Sequence, residues 1–544
     1  MTVSIHVEQI PTREDPILSI CQKSFGLSYP FPWQRLIIAA VLDAVSSQRS
    51  MEDSSDREPL REIAVLPTGA GKSLCWMLPA SVIDGITVAV FPLLSLMADQ
   101  KRRLDAAGLS SVTLKGGLTG EKREEIWRAL DSGKTRIILA NPEILSTAHV
   151  AQRLKEMKPE FLVVDETHTV SQWGESFRPA CAGMGVLVED WNPAAVLALT
   201  ATAGPLIRSR ITELLFNGHA PTTALANPNR PELYYGVIPA LSRYHILERL
   251  VRNEPRPLIV FGPTRLSVVK AARLLRDRLK DKRIRYYHAG LSQEEKTGLE
   301  TWFLGSGDAI LCATCAYGMG VDKSDIRTVI HLAPPDSAES YLQESGRASR
   351  DGKGANAWLI WTPDDLRGRS MHASSAHSEH LQSPAEKLSH ERRQSIINYA
   401  ISTNRCRREL LLETLGIEAS DCSGCDVCGA EPWTSAPEEK PICRTIMWNQ
   451  RRLSRGQAAR VLIGRRSAEI RSKGLDTLRG FGSLSAWELE DAECAIETLL
   501  GNRKLRLGRF GPWKNLLSVN HSRTSPKKTH SNAVGEQLAA EEAT

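Results

Sequence analysis

Residues 62–80 read EIAVLPTGAGKSLCWMLPA. A short apolar run, Ile63 to Leu66, gives way to Pro67-Thr68-Gly69-Ala70-Gly71, and the pair Lys72-Ser73 opens a second apolar stretch of helical length. Strand, glycine loop and helix in that order are the opening unit of an α/β sheet. Gly69 and Gly71 let backbone N–H groups curl around phosphate oxygens with no Cβ in the way. Lys72 brings a positive charge to the β- and γ-phosphates of ATP, and Ser73 offers a hydroxyl to Mg2+. Leu66 stands where the general pattern has its first glycine, so the loop is the variant headed by Thr68-Gly69. A plain glycine turn is the alternative, which strand, helix and Lys-Ser together disfavour.

Outward from this unit, short apolar runs recur, each ending in Gly, Pro, Ser or Thr: TVAVFPLLS (87–95), RIILANPE (136–143), FLVVDETH (161–168) and AVLALTATA (195–203). After ANPNRPEL (226–233) a second series follows: PLIVFGPTR (257–265), RIRYYHAG (283–290), AILCATCAYGMG (309–320), TVIHLAPP (328–335) and AWLIWTPDD (357–365). Apolar runs separated by helix-length polar segments are buried parallel strands. Two tandem α/β sheets are expected, over residues 1–225 and 226–366. The unusual residues then fall in loops at strand C-termini, where open α/β sheets bind ligands.

The 544 residues are too many for one core, and 42% apolar with 24% charged is ordinary for a soluble globular chain. No run approaches the roughly 18 apolar residues of a membrane span, and MTVSIHVEQIPTRED has no signal-peptide core. A cytoplasmic protein, nucleoid-associated if bacterial, is expected. Net charge is +6. Residues 441–520 hold 15 Lys/Arg against 7 Asp/Glu, so this stretch alone carries the basic excess. A basic C-terminal module on a near-neutral body suits a polyanion.

Asp165 and Glu166 end an apolar run of the first series. Asp165 would hold Mg2+ largely through water, and Glu166 would orient and deprotonate the attacking water, with His168 two residues on. Ser171-Gln172-Trp173-Gly174 follows at once, an aromatic beside a glycine in a loop; a packed core tryptophan is the alternative. In the second series QESGRASRDG (343–352) places Arg347 and Arg350 three apart, on one face of a helix, suited to γ-phosphate oxygens across a domain cleft. Alone, that spacing would equally suit a surface ion-pair helix.

Together PTGAGKS, FPLLSL, NPEIL, DETH, SQWG, TATA, VFGPTR, YYHAGL, AYGMGVDK and QESGRASRDG resemble a superfamily 2 helicase core, specifically the RecQ family. The resemblance runs from about Phe25 to Asp365 and on into the C-terminal modules. It implies two RecA-like domains and an ATP-driven translocase that tracks single-stranded DNA 3′ to 5′ and opens duplexes. Gln34, in FGLSYPFPWQ, matches the adenine contact, although Phe31 stands where the family usually has arginine. Asp322 matches the acid on the far side of the nucleotide cleft. Thr167 replaces a common Ala, and Ser349 a common Gly. Gln172, Trp173, Phe177 and Arg178 fall in the family's aromatic-rich loop, which senses single-stranded DNA; its nearness to the acids would make hydrolysis depend on DNA. Pro92, Ser95, Asn141, Thr264, Arg265 and Thr314 match loops that grip DNA phosphates. Thr200-Ala201-Thr202 matches the element linking ATP cleft and DNA.

Cys406, Cys422, Cys425 and Cys428 can close a tetrahedral Zn2+ site, the first from an upstream helix. A disulfide pair is the alternative, disfavoured in a reducing compartment. Their arrangement also resembles the RecQ zinc subdomain, expected here over residues 367–432 with its helical connector. Residues 440–520 resemble the family's winged-helix module, with Arg465, Arg466, Arg471 and Lys473 toward duplex phosphates. In RKLRLGRFGPWKNLLSVN (503–520), a hairpin pattern, Phe510 or Trp513 suits a strand-separating wedge or a plain core aromatic. Residues 521–544 are polar and expected to be disordered. An ATP-switched DNA-binding remodeller that does not unwind processively is the competing function, with an RNA helicase disfavoured by SQWG and the cysteines.

Overall fold

The computed structural model describes residues 15–49, 58–67, 69–169, 179–317, 323–366, 384–418, 421–429 and 432–520. The apolar runs of the first series become β1 (Leu60–Val65), β2 (Thr87–Val90), β4 (Ile137–Ala140), β5 (Phe161–Val164) and β6 (Ala195–Thr200). Two further strands, β3 (Ser111–Leu114) and β7 (Thr222–Leu225), complete the sheet in the order β3-β4-β2-β5-β6-β1-β7. Every pairing is parallel. Successive side chains go to opposite faces: Val88 and Val90 join one core, Ala89 and Phe91 the other. Helices cover both faces, which is why these strands are continuously apolar rather than alternating.

The second sheet contains β8 (Leu233–Pro239), β9 (Leu258–Phe261), β10 (Ile284–Tyr287), β11 (Ile310–Ala313), β12 (Thr328–His331) and β13 (Ala355–Trp361). It is also wholly parallel, in the order β10-β11-β9-β12-β13-β8. Because the strands of each sheet run the same way, their C-terminal ends share one edge. The phosphate loop after β1, the acids after β5 and Thr200 at the end of β6 therefore come together although far apart in sequence.

The edge strand β8 is not left open. Tyr235 N donates to Gly424 O at 3.4 Å and Val237 N donates to Asp426 Oδ2 at 3.1 Å. The cysteine loop thus covers backbone groups that would otherwise be free to pair with another strand. Arg408 ties the same region to the start of β8, donating to Arg230 O (2.8 Å) and Leu233 O (2.7 Å).

The chain divides into two compact units at Ser435 and Ala436. The second contains helices Glu439–Trp448, Arg455–Leu462, Ala468–Ser472 and Leu489–Gly501, and a hairpin of β14 (Leu505–Leu507) and β15 (Leu517–Val519). Ile446, Leu462, Ile496, Leu505 and Leu517 are buried at its centre. Ser454 and Gln457 form a reciprocal capping box that starts the second of these helices. The start of the connector, 367–383, and the tail 521–544, expected to be disordered, lie outside the described residues.

Candidate ATP, zinc and nucleic-acid sites

The phosphate loop needs its glycines. Gly69 (φ 88°) and Gly71 (φ 72°) have left-handed backbones. A Cβ on Gly71 would sit 2.2 Å from Gln34 Nε2. Gly71 caps the helix Lys72–Val82, so the loop's N–H groups meet the positive end of a helix dipole. Thr68 lies outside the described residues. Gln34 is buried, and its amide is engaged with this loop: Nε2 donates to Ala70 O (3.0 Å) and Gly71 O (3.1 Å), while Oε1 accepts from Phe31 N (2.8 Å). Beside it opens a pocket of about 720 Å3, lined by Leu27, Tyr29, Phe31, Met77, Gly69 and Arg103 among others. Arg103 comes from the helix Leu94–Ala106, and no spacing in the sequence links it to Gln34.

Glu166 is the hub of the acidic end. It holds a left-handed backbone (φ 48°), at a cost of about 1 kcal/mol for a residue with a Cβ. Glu166 Oε1 is 3.7 Å from Lys72 Nζ, and Oε2 is 3.3 Å from His168 Nδ1, which also contacts Thr200 Oγ1 at 3.1 Å. Burial by itself would raise the Glu166 pKa, but the charges of Lys72, His168 and Arg347 outweigh it and hold the carboxyl well below its usual range. Burial and the neighbouring Glu166 push Asp165 the other way. A buried acid beside a buried base partner is thereby kept ionised, the state needed to accept a proton from water. The hydroxyl of Thr167 is absorbed by the carbonyls of Val164 (2.7 Å) and Leu199 (3.0 Å), so it leaves both acids in place.

Across the cleft, Arg347 is 6% exposed, and its Nε has no hydrogen-bond partner among the described residues. Burial, then the nearby Arg350, pushes its pKa down to about 10, while Glu344, Tyr317 and Glu166 counteract them. The two arginines do not share a helical face as the spacing suggested. The helix Ala338–Ser345 stops at Gly346, and Ser349 turns left-handed (φ 57°). Arg230 fixes this turn by donating to the carbonyls of Gly346 (3.2 Å), Ala348 (3.2 Å) and Ser349 (2.8 Å). Asp322 lies outside the described residues.

The remaining candidates for DNA contact sit on the same strand edges. Pro92 and Ser95 follow β2, Asn141 follows β4, Thr264 and Arg265 follow β9, and Thr314 follows β11. Thr264 caps its helix reciprocally with Ser267, leaving Arg265 exposed at the first turn. Pro92 and Thr314 are buried, whereas Ser95 is exposed. Gln172, Trp173, Phe177 and Arg178 lie outside the described residues.

The sulfurs of Cys406, Cys422, Cys425 and Cys428 lie within 4.8 Å of one another. A tetrahedron with Zn–S bonds of about 2.3 Å spaces its sulfurs by about 3.8 Å, so the donor set fits Zn2+. Cys406 is not within a helix but caps the N-terminus of Arg407–Glu413. Burial would raise the Cys425 thiol, but main-chain N–H groups at Arg407 and Cys428 outweigh it and favour thiolate.

In the C-terminal unit Arg465, Arg466, Arg471 and Lys473 are exposed. Lys473 pairs with Glu469 at 3.1 Å. At the hairpin tip Phe510 is 84% exposed and Trp513 49%, the latter under the Arg451 guanidinium at 4.6 Å. Neither is a core aromatic.

Three family models match the chain: DEAD/DEAH box helicase over residues 32–208, helicase conserved C-terminal domain over 242–352, and RecQ zinc-binding over 365–429. The ATP-dependent DNA helicase RecQ of Pasteurella multocida is 30% identical over 452 residues, covering 82% of this chain and 70% of the relative. The protein of the same name from Bacillus subtilis is 29% identical over 453 residues, covering 81% and 74%. Among solved structures, the DEAD-box helicase Mss116 bound to single-stranded RNA and UDP-BeF aligns with a TM-score of 0.51 at 17% identity, over 74% of this chain and 89% of that one. That likeness is one of fold.

Proposed function

This chain belongs to the RecQ family of ATP-dependent DNA helicases, and from that premise we propose how its residues divide the work and in which direction it moves. It is an ATP-hydrolysing DNA helicase with two RecA-like domains and a RecQ zinc-binding domain. Gly69, Gly71, Lys72 and Ser73 cradle the phosphates of ATP. Glu166 takes the proton of the attacking water, with His168 and Thr200 holding its carboxylate in place. Arg347 and Arg350 meet the charge that builds on the γ-phosphoryl group as the cleft closes. Mg2+, held by Ser73 and Asp165, supplies charge neutralisation at the phosphates when bound. The observation that carries this division is the convergence of Lys72 and His168, at 3.7 and 3.3 Å, on the buried carboxylate of Glu166.

DNA lies along the strand edges at Ser95, Asn141, Thr264, Arg265 and Thr314, with movement 3′ to 5′. Gln172, Trp173, Phe177 and Arg178 report its presence to Glu166, only a few residues away. Cys406, Cys422, Cys425 and Cys428 hold a structural Zn2+, leaving no open position for catalysis. Arg465, Arg466 and Lys473 contact the duplex of a fork or partial duplex, and Phe510 or Trp513, both exposed at the hairpin tip, acts as the wedge between its strands. The place of work is the compartment that holds the DNA, the nucleoid in a bacterial cytoplasm; among the described residues no helix is long and apolar enough to cross a membrane.

The test is ATP-dependent unwinding of matched partial duplexes with a 3′ or a 5′ single-stranded tail. Opening of the 3′-tailed duplex alone supports the proposal. Opening only with the 5′ tail reverses the direction, and DNA-stimulated hydrolysis with neither duplex opened would favour an ATP-switched remodeller.

A further inference from the structure

Between the first sheet domain and the zinc subdomain lies a contact that no sequence motif marks. Arg208, in the helix Pro205–Phe216, donates from Nη1 to Ala203 O at 3.1 Å and to Leu415 O at 3.2 Å. Ala203 follows Thr200-Ala201-Thr202, and Leu415 lies just past the helix Arg407–Glu413 that Cys406 caps. The surfaces meet at backbone distance. A Cβ on Gly204 would lie 2.2 Å from Thr414 O, and one on Gly416 would lie 2.9 Å from Pro205 Cγ. Burial pushes the Arg208 pKa down, as expected of a guanidinium spent on carbonyls in a closed seam.

On the far side of the seam the zinc subdomain is anchored to the second sheet domain, not the first. Asp426 holds Val237 N, and Arg408 holds the carbonyls of Arg230 and Leu233. Those bonds tie the two parts together. Opening the ATP cleft must separate Arg208 from Leu415 or drag one body past the other. On the near side the chain of contacts runs back to the hydrolytic acid: Ala203 adjoins Thr202, whose carbonyl accepts from Thr200 Oγ1 at 3.2 Å, and Thr200 meets His168, which meets Glu166.

We propose that Arg208 is a positioning residue that latches the first sheet domain onto the zinc subdomain and so stabilises the closed ATP cleft, with Gly204 providing the close approach the latch needs. This rests on the cleft assignment above. A ligand that favours one of two states loses apparent affinity in proportion to the population that state loses. Breaking the latch therefore weakens nucleotide binding while leaving the chemistry of the closed state intact.

The test uses the full-length chain with its zinc content measured, saturating single-stranded DNA, and the variants Arg208→Ala, Arg208→Lys and Gly204→Ala. Arg208→Ala and Gly204→Ala should each raise the KM for ATP about tenfold, the size of a charged hydrogen bond made in one state only. Affinity for a fluorescent ATP analogue should fall in parallel, with kcat and zinc per chain within about twofold of wild type. Arg208→Lys, which keeps a cation able to reach carbonyls, should recover most of the loss. An unchanged KM in Arg208→Ala or in Gly204→Ala, or a fall in kcat with KM unmoved in any variant, overturns the latch and leaves Arg208 a local structural residue. A wild-type chain that hydrolyses no ATP would overturn the cleft assignment itself.

Discussion

Replacing Asp426 with alanine should make the zinc site open far more readily, although Asp426 is not a zinc ligand. Its carboxylate is 3% exposed and faces Arg407, which is 1% exposed, through bonds of 2.8 Å from Nε and 3.2 Å from Nη2. Oδ2 also accepts from Val237 N, stitching the loop that contains Cys425 to β8. Alanine strands a buried guanidinium with Tyr399 O as its remaining bonded partner (2.5 Å) and removes the acceptor for a backbone N–H. Removing one partner of a buried pair costs about 3–5 kcal/mol, and the orphaned N–H overlaps with that cost rather than adding to it. We take about 4 kcal/mol, or nearly a thousandfold in the opening equilibrium of the loop. A global melt would blur this, because a chain with several domains does not unfold in one step. The rate at which a strong chelator strips zinc reads the local opening directly. Asp426→Ala should accelerate stripping by two to three orders of magnitude, about 10²–10³. The double replacement Arg407→Met with Asp426→Leu should recover most of it, since no charge is then left buried alone. Stripping within threefold of wild type in Asp426→Ala, or no recovery in the double variant, would refute the reasoning.

Glu62, 6% exposed on β1 with Oε2 unpartnered among the described residues, has a pKa pushed up by burial to about 7. The folded state therefore binds its proton more tightly than the unfolded chain does. That contribution to stability is complete below pH about 4.5 and is lost as pH rises through 7, amounting to about 3 kcal/mol. Glu62→Gln should flatten the fall in melting temperature between about pH 4.5 and 7; parallel curves for variant and wild type would sink the idea. Glu166→Gln should cut DNA-stimulated hydrolysis by roughly 10²–10⁴-fold while ATP still binds, and hydrolysis within tenfold of wild type would remove Glu166 as the base. Alanine at both Phe510 and Trp513 should lower unwinding of a tailed duplex and spare DNA-stimulated hydrolysis; equal loss of both activities would exclude a wedge at the hairpin tip.

Both sheets were legible where strands are buried on both faces. Apart from the edge strand β10, whose Arg285 is exposed, every strand that the apolar runs revealed, from IAV after Glu62 to the WLIW of β13, has neighbours covering it above and below. The three that escaped, β3, β7 and β8, are all edge strands. At β7 the sequence TTAL is largely exposed, so it has no reason to be apolar. At β8, LYYGVIP is buried but disguised by Gly236 and Pro239; a Cβ on Gly236 would sit 2.2 Å from the Trp358 ring of β13. Nothing local announces that neighbour.

The site divides the same way. Phosphate chemistry is local, so Gly69, Gly71, Lys72 and Ser73 must be consecutive or nearly so, and a single stretch of sequence displays them. The acids and the four cysteines are likewise recognisable by residue type and spacing. The geometry of Arg347 was not, because the turn that aims it is made by Arg230, more than a hundred residues earlier, and by a left-handed Ser349 that looks ordinary in sequence. The grip of Gln34 on the phosphate-loop carbonyls was not legible either. Residue type and local spacing thus determined the chemistry this chain can perform. Which groups are held ionised, which are buried against one another and which lock the cleft were decided by packing between segments as distant as Arg208 and Leu415, whose bond spans 207 positions. Burial and neighbouring charge set those properties, and both exist only once the sheets have assembled.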